Sequence, residues 1–165
     1  MAEDAKWPRA ASLIGSASSP IGLIDVPASK TSISPTNAHL TPKAIREALL
    51  RYSTYSYSTG KDLSSLSIED LGAIEDPDNN EAKTTAAIKA ANKDLTIALG
   101  GDNSITYSAA SSLWRDLSNV GLITFDAHHD LRDGNSNGSP VWQLIQAGLP
   151  GKNIVQIGIA DFANS

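Results

Sequence analysis

Three potential metal ligands follow one short apolar segment of the sequence. Residues 120–125 are predicted to form a buried strand, and Asp126, His128 and Asp130 come directly after it. Because side chains alternate in extended backbone, we expect these three side chains to project from one face, roughly 7 Å apart at each step of two residues. Two carboxylates and one imidazole suit a hard divalent cation such as Mn²⁺. The spacing predicts a site for one or two such cations; the alternative is a polar loop with one carboxylate capping a turn.

Three further polar residues lie close to this motif in the sequence. His129 should point to the opposite side, which favours a role in orienting a ligand or in packing over metal binding. Arg132 could form paired hydrogen bonds with a substrate carboxylate, or could be a solvated loop arginine. Asn137 lies in the polar segment 135–140, which is typical of a turn before a helix, and its proximity to the motif suggests a substrate contact.

A second polar motif, Gly-Gly-Asp-Asn-Ser at residues 100–104, follows another predicted strand. Asp102 and Asn103 are favoured residues at the start of a helix, so the motif could be a plain helix cap. Its glycines could also expose backbone amides to a phosphate, but the pattern matches neither the phosphate-binding loop of nucleotide hydrolases nor the dinucleotide fingerprint.

Composition limits the possible classes of function. The chain of 165 residues is long enough for one domain with a core. A net charge of −5, with scattered basic residues, argues against nucleic acid or an anionic membrane as the partner. The sequence contains no cysteine, which excludes disulfides and cysteine-bound metals. No segment resembles a signal peptide or membrane span, so we expect a cytoplasmic protein.

Strands and helices alternate along the predicted fold. Residues 1–20 are expected to be a loosely ordered leader, and residues 21–165 to be part of a single α/β domain. The predicted strands are 21–26, 68–74, 95–99, 120–125 and 153–159, and the predicted helices are 41–52, 81–92, 105–117 and 139–148. This order predicts a mostly parallel sheet with helices on both faces. Both polar motifs then emerge at the carboxyl edge of consecutive strands, where such sheets bind their ligands.

The two motifs resemble those of the ureohydrolase family, which contains arginases, agmatinases and formimidoylglutamases. That family carries Gly-Gly-Asp-His-Ser after one strand and Asp-Ala-His-x-Asp after the next, as residues 100–104 and 126–130 do here with one change. The segments 130–132 and 136–140 look most like the formimidoylglutamase branch. The resemblance implies a three-layer arginase-like fold, of which this sequence covers the N-terminal half, with the C-terminal half missing.

The resemblance also implies a site and a reaction. Asp126 would bridge two Mn²⁺ ions, while His128 and Asp130 would each complete the ligand shell of one ion. A hydroxide held between the ions would attack the amidine carbon of a small-molecule substrate, with no further catalytic side chain. For N-formimidoyl-glutamate the products would be glutamate and formamide, and Arg132 and Asn137 would hold the glutamate portion. A full-length form is expected to be a homo-oligomer.

The sequence departs from the family pattern at three places. Asn103 stands where the family has a metal-binding histidine, beside Asp102 as a supporting residue, so one ion should bind more weakly. Trp142 stands where an arginine is expected, and the family's later Ser-x-Asp-x-Asp motif does not occur in the sequence. The binuclear site is therefore expected to be incomplete. Two alternatives stay open: an inactive, metal-poor module of the same fold, or an agmatinase- or arginase-type enzyme.

Overall fold

The computed structural model describes residues 6–164 and contains eight strands and four α-helices within that range. The strands are β1 (Ile14–Gly15), β2 (Ile21–Val26), β3 (Tyr55–Ser56), β4 (Lys61–Asp62), β5 (Ile68–Ala73), β6 (Leu95–Gly100), β7 (Leu122–Phe125) and β8 (Ile154–Ile157). The helices are α1 (Thr41–Leu49), α2 (Glu81–Ala91), α3 (Ile105–Leu113) and α4 (Pro140–Gln146).

The first sheet has four parallel strands in the order β1-β5-β2-β6. Alternation along β2 decides which helix covers which face. Ile24 and Val26 point to one face and pack with Ile88 of α2 in a buried cluster. Asp25 points to the other face, where it accepts a hydrogen bond from Arg46 of α1 at 2.8 Å. The predicted parallel strands with helices on both faces are thus confirmed in this part of the fold.

The remaining parallel strands, β7 and β8, form a separate two-stranded sheet. On one side it packs against a buried cluster of Leu117, Leu144 and Leu149, which brings in α3 and α4. Its other face carries exposed apolar side chains, with Ile123 at 64% and Phe125 at 80% of full exposure. The order of strands in the sequence predicts a single sheet, but β6 and β7 do not pair.

The expectation of a loose leader does not describe residues 6–20. Ile14 and Gly15 form β1 in register with residues 68 and 69 of β5, and a 3₁₀ turn precedes them. The hydroxyl of Ser19 donates to the carbonyl of Ser67 at 2.6 Å. This hydrogen bond joins the segment before β2 to the segment before β5. Residues 1–5 of the predicted leader lie outside the described residues.

Two other elements differ from the pattern in the sequence. α3 ends at Leu113, and Leu117 is buried from the following loop, so the predicted continuation of the helix to residue 117 is wrong. The polar segment before β5 contains a short antiparallel pair, β3 with β4, which serine-rich composition does not indicate. Within the described range no helix has the length and apolar character needed to cross a bilayer.

Candidate metal centre

The potential metal ligands lie in an irregular loop and not in a strand. β7 ends at Phe125, and Asp130 has a left-handed backbone with φ of 54°. The alternation expected for residues 126–130 is therefore wrong. Asp126, His128 and Asp130 nevertheless line one cavity of about 480 Å³, together with Asn103. The loop, rather than strand geometry, brings the two motifs together.

The acidic side chains of the loop contact their neighbours within the cavity. Asp126 Oδ1 accepts a hydrogen bond from the backbone N–H of His128 at 2.8 Å and lies 3.3 Å from its Nδ1. Burial, followed by the charge of Asp126, raises the pKa of the Asp130 carboxyl above its ordinary value. Two carboxylates that repel each other in a half-buried cavity provide an environment that a cation would stabilise.

The side chain of Asn103 donates a hydrogen bond to Asp130 through its amide nitrogen, and its amide oxygen contacts Thr106. Its Nδ2 donates to Asp130 Oδ2 at 2.6 Å, while its Oδ1 accepts from the hydroxyl of Thr106 at 2.7 Å. The sequence predicts Asn103 as a weak ligand through that oxygen, and the contact with Thr106 uses one of its two lone pairs. Asn103 therefore acts in this structure as a hydrogen-bond donor that orients a carboxylate.

Asp102 fastens the loop after β6 to a second loop. Its carboxylate accepts hydrogen bonds from the hydroxyls of Ser32 and Ser104 and from the backbone N–H of Ser104. Its own N–H donates to the carbonyl of Ala28 at 2.9 Å. These contacts agree with a structural role for Asp102. Its role in supporting a metal site stays a prediction.

Arg132 and Asn137, the predicted substrate contacts, both line the cavity. They differ in whether their side chains already have partners in the protein. The guanidinium of Arg132 makes no ion pair within residues 6–164, so it is free to bind an anion. Asn137 Oδ1 instead accepts from the backbone N–H of Ile33 at 3.1 Å. The side chain of Asn137 thus joins two cavity loops, which leaves its Nδ2 for any ligand.

Sequence patterns do not single out residues 32–36, although this loop lines the same cavity. The carboxylate of Asp78 holds the start of the loop by accepting the N–H groups of Ser29 and Lys30 at 2.9 and 2.8 Å. The segment is rich in serine, threonine and proline, and this composition indicates a loop. It does not indicate that the loop lies at the cavity.

His129 also lines the cavity, contrary to the expectation that it points away. Its Nδ1 lies 2.7 Å from Oε1 of Gln156 in β8. That contact agrees with a packing role, and it draws attention to Gln156, a residue that no sequence motif marks.

The chemistry of the donor set fits Mn²⁺, since two carboxylates and an imidazole border one cavity. Within residues 6–164, however, no three acidic or histidine side chains already converge on a single point. His128 is also 60% exposed at its side chain. Among the described residues, suitable donors therefore border one cavity without forming an assembled cation site.

Comparison with known proteins identifies the family. The sequence profile of the arginase family matches residues 19–165. The chain belongs to the arginase family. A formimidoylglutamase of Halalkalibacterium halodurans is 40% identical to it over 157 residues, covering 87% of this chain and 49% of the relative. The chain thus spans about half the length of the curated relatives it matches.

Solved structures of arginase-family proteins share the fold. The crystal structure of formimidoylglutamase from Bacillus subtilis has a TM-score of 0.86 and 32% identity, and covers all of this chain and 57% of its own. The structure of Trypanosoma cruzi formiminoglutamase with Mn²⁺ has a TM-score of 0.85 at 23% identity, and covers 96% of this chain and 60% of its own. At 23% identity, the similarity to the Trypanosoma cruzi structure shows a common fold alone.

Replacing Asn103 with histidine is expected to tighten Mn²⁺ binding to this arginase-family chain about tenfold. An imidazole nitrogen is a stronger ligand for a transition metal than a carboxamide, and we expect this gain to exceed the cost of losing the hydrogen bond to Asp130. Titration calorimetry on the two proteins would measure the difference. The variant Asn119→His, at an exposed position away from the cavity, serves as the control. Equal affinity for Mn²⁺ in both variants would mean that residue 103 does not contribute to metal binding.

Proposed function

We propose that this chain forms the N-terminal part of a Mn²⁺-dependent hydrolase of linear amidines, with N-formimidoyl-glutamate as the substrate. The observation that carries the proposal is the common cavity of Asp126, His128 and Asp130 with the free guanidinium of Arg132. The match to formimidoylglutamases over most of the chain supports this choice of substrate. Because the chain covers about half of those relatives, the remaining ligands are expected from sequence beyond the matched part.

Asp126, His128 and Asp130 are the residues that would hold the metal. Mn²⁺ would supply activation of water for attack on the amidine carbon. Asn103 keeps the carboxylate of Asp130 in place by donating to its Oδ2, and Asp102 keeps the loop that carries Asn103 against the neighbouring serines. The protein thereby fixes the carboxylates before a ligand arrives, which lowers the cost of ordering them on binding.

Arg132 is the residue that would distinguish an acidic substrate. An unpaired guanidinium at the cavity can bind a carboxylate through two parallel hydrogen bonds. The backbone N–H of Arg132 donates to the carbonyl of Gly138 at 3.1 Å, so the base of its side chain is held in place. A glutamate portion offers carboxylates to such a group, whereas agmatine offers a cation.

Replacing Arg132 with alanine is expected to raise KM for N-formimidoyl-glutamate about tenfold, because a charge-assisted contact to a carboxylate is lost. KM for agmatine should not rise. Steady-state assays with both substrates, on a catalytically active form that contains this chain, measure the ratio. Arg115→Ala, at an exposed position outside the cavity, is the matched control. An equal rise for both substrates would remove Arg132 from substrate discrimination.

The protein purified from its native cells tests the function itself. We expect release of formamide from N-formimidoyl-glutamate that requires Mn²⁺ and stops with a chelator. The intact mass of the same sample shows whether the active species is longer than 165 residues. Turnover without dependence on a divalent metal would contradict the proposal.

A second candidate is a non-catalytic binding module with a metal-poor cavity. It is favoured by the observation that, in the part of the chain described, no three metal-binding side chains converge. Such a module would bind a small acidic ligand through Arg132 without turning it over. Ligand binding in the presence of a chelator, combined with no formamide release in its absence, would select this candidate.

A further inference from the structure

The loop of residues 126–130 depends on side chains that follow β7 much later in the chain. Because the loop is not part of a strand ladder, its backbone groups need other hydrogen-bond partners. Backbone groups of residues 142, 157 and 160 supply some of these partners, and two carboxamides supply others. One belongs to Gln156 in β8, and the other belongs to Asn164, seven residues beyond the end of β8.

Asn164 joins both sides of the loop. Its Oδ1 accepts the backbone N–H of His129 at 2.8 Å, and its Nδ2 donates to the carbonyls of Ala127 and Ala160 at 3.1 Å. A carboxamide is suited to this position because it carries an acceptor and two donors on one planar group. An aspartate would keep the acceptor and place a second oxygen against two carbonyls.

Gln156 makes a two-point contact with a single residue. Its Nε2 donates to the backbone carbonyl of His129 at 3.0 Å, and its Oε1 lies 2.7 Å from His129 Nδ1. The carbonyl contact sets the orientation of the amide, because the reversed amide would bring two oxygens together. The group facing Nδ1 is consequently an acceptor, so Nδ1 must carry the proton.

This orientation has a consequence for the second ring nitrogen of His129. In a neutral imidazole with a proton on Nδ1, Nε2 has a free lone pair. No residue in the range 6–164 forms a hydrogen bond with Nε2, and the side chain lines the cavity. His129 therefore offers an acceptor to the cavity, where an amidine ligand carries N–H groups.

We propose that Gln156 and Asn164 are positioning residues that hold the loop of residues 126–130 and fix His129 as the Nδ1–H tautomer, so that Nε2 accepts an N–H group of the bound ligand. The part that concerns the ligand rests on the proposed function. The part that concerns the loop and the tautomer does not.

Nuclear magnetic resonance of the histidine ring nitrogens tests the role of Gln156. At about pH 8.5, above the usual range of histidine titration, the ¹⁵N-labelled chain should show His129 with its proton on Nδ1, whereas a solvated imidazole favours Nε2. His129→Asn assigns the signal. Gln156→Leu should return His129 to the Nε2–H form, and Gln156→Glu, which keeps the acceptor, should preserve the Nδ1–H form. Gln146→Leu, an exposed glutamine, is the control. An Nε2–H tautomer in the unaltered chain, or no change in Gln156→Leu, would overturn the assignment.

Hydrogen exchange tests the role of Asn164. Exchange of the His129 backbone amide should become about tenfold faster in Asn164→Ala, because its acceptor is lost, while amides of β2 keep their rates. Asn119→Ala is the matched control at an exposed asparagine. Unchanged exchange at His129 would contradict the role of Asn164, and a general rise across β2 would assign Asn164 to overall stability instead.

Mn²⁺ binding then separates this inference from the proposed function. Titration calorimetry with Mn²⁺ should show about tenfold weaker binding for Gln156→Leu and Asn164→Ala, as expected when the groups that orient metal ligands are removed. If the unaltered chain binds no Mn²⁺ but shows the expected tautomer and exchange, the described residues do not form a cation site on their own, and the positioning role stands. If Mn²⁺ binds equally to all variants, Gln156 and Asn164 do not position the metal ligands, and the metal function stands.

Discussion

Replacing Gly101 with alanine is expected to destabilise the protein by about 3 kcal/mol, which is the cost of strong overpacking in a close-packed region. A Cβ atom at this position would lie 1.8 Å from the carbonyl oxygen and 2.5 Å from the nitrogen of Ala28. Both contacts are with backbone, so no side chain can rotate away. The segment after β2 or the segment after β6 must therefore move. Urea unfolding at equilibrium measures the change in the free energy of unfolding.

Gly151→Ala is the control for this prediction. A Cβ there meets no atom within 4 Å and the residue is exposed. We expect its free energy of unfolding to stay within about 0.5 kcal/mol of the unaltered chain. A similarly small effect at Gly101 would mean that the approach of the two loops is not required for folding. Since Asp102 and Asn103 follow Gly101 directly, the same substitution should also lower the affinity for Mn²⁺.

Replacing His128 with alanine is expected to weaken Mn²⁺ binding by at least about 100-fold, or to abolish it. The described part of the site has one imidazole and two carboxylates in its predicted donor set, and removing a direct ligand costs more than removing a residue that orients one. His128 is exposed at the cavity and its removal leaves no buried void, so the fold should be retained. Calorimetry with Mn²⁺ and circular dichroism on the same samples measure both effects.

His39→Ala is the matched control, because His39 is exposed and does not line the cavity. Its affinity for Mn²⁺ should equal that of the unaltered chain. If His128→Ala retained full affinity while folded, the ligand assignment for the whole loop would fail. Loss of affinity in both histidine variants would indicate nonspecific binding to surface imidazoles.

The parts of the fold that depend on local pattern could be predicted from the sequence. β2 has the predicted bounds of 21–26, and α2 begins at Glu81, where Asn80 caps it by accepting the N–H of Lys83 at 3.0 Å. Such elements are specified by residues within one turn or one strand. Pairing between strands distant in sequence is not specified in this way, which is why the division of the parallel strands into two sheets could not be predicted.

The candidate site shows the same limit. The motif 126–130 lies in a loop that lines the cavity, but the predicted extended geometry is wrong because Asp130 adopts a left-handed backbone. The direction of His129 follows from Gln156, a residue of another strand, and the orientation of Asn103 follows from Thr106 and Asp130. The motifs indicate which residue types border the cavity, whereas several contacts that orient them come from residues outside the motifs, such as Gln156 and Thr106.

The separation of β6 from β7 links the rigidity of the molecule to ligand binding. Asn103 lies beyond the end of β6 and Asp130 beyond the end of β7, so their 2.6 Å hydrogen bond spans two sheets that share no ladder. Any motion of one sheet relative to the other changes the distance between Asn103 and Asp130 directly. A ligand held from both sides must suppress this motion and lose the corresponding conformational entropy. Tighter packing between α3 and α4, at residues that do not line the cavity, should therefore raise affinity without adding any contact to the ligand.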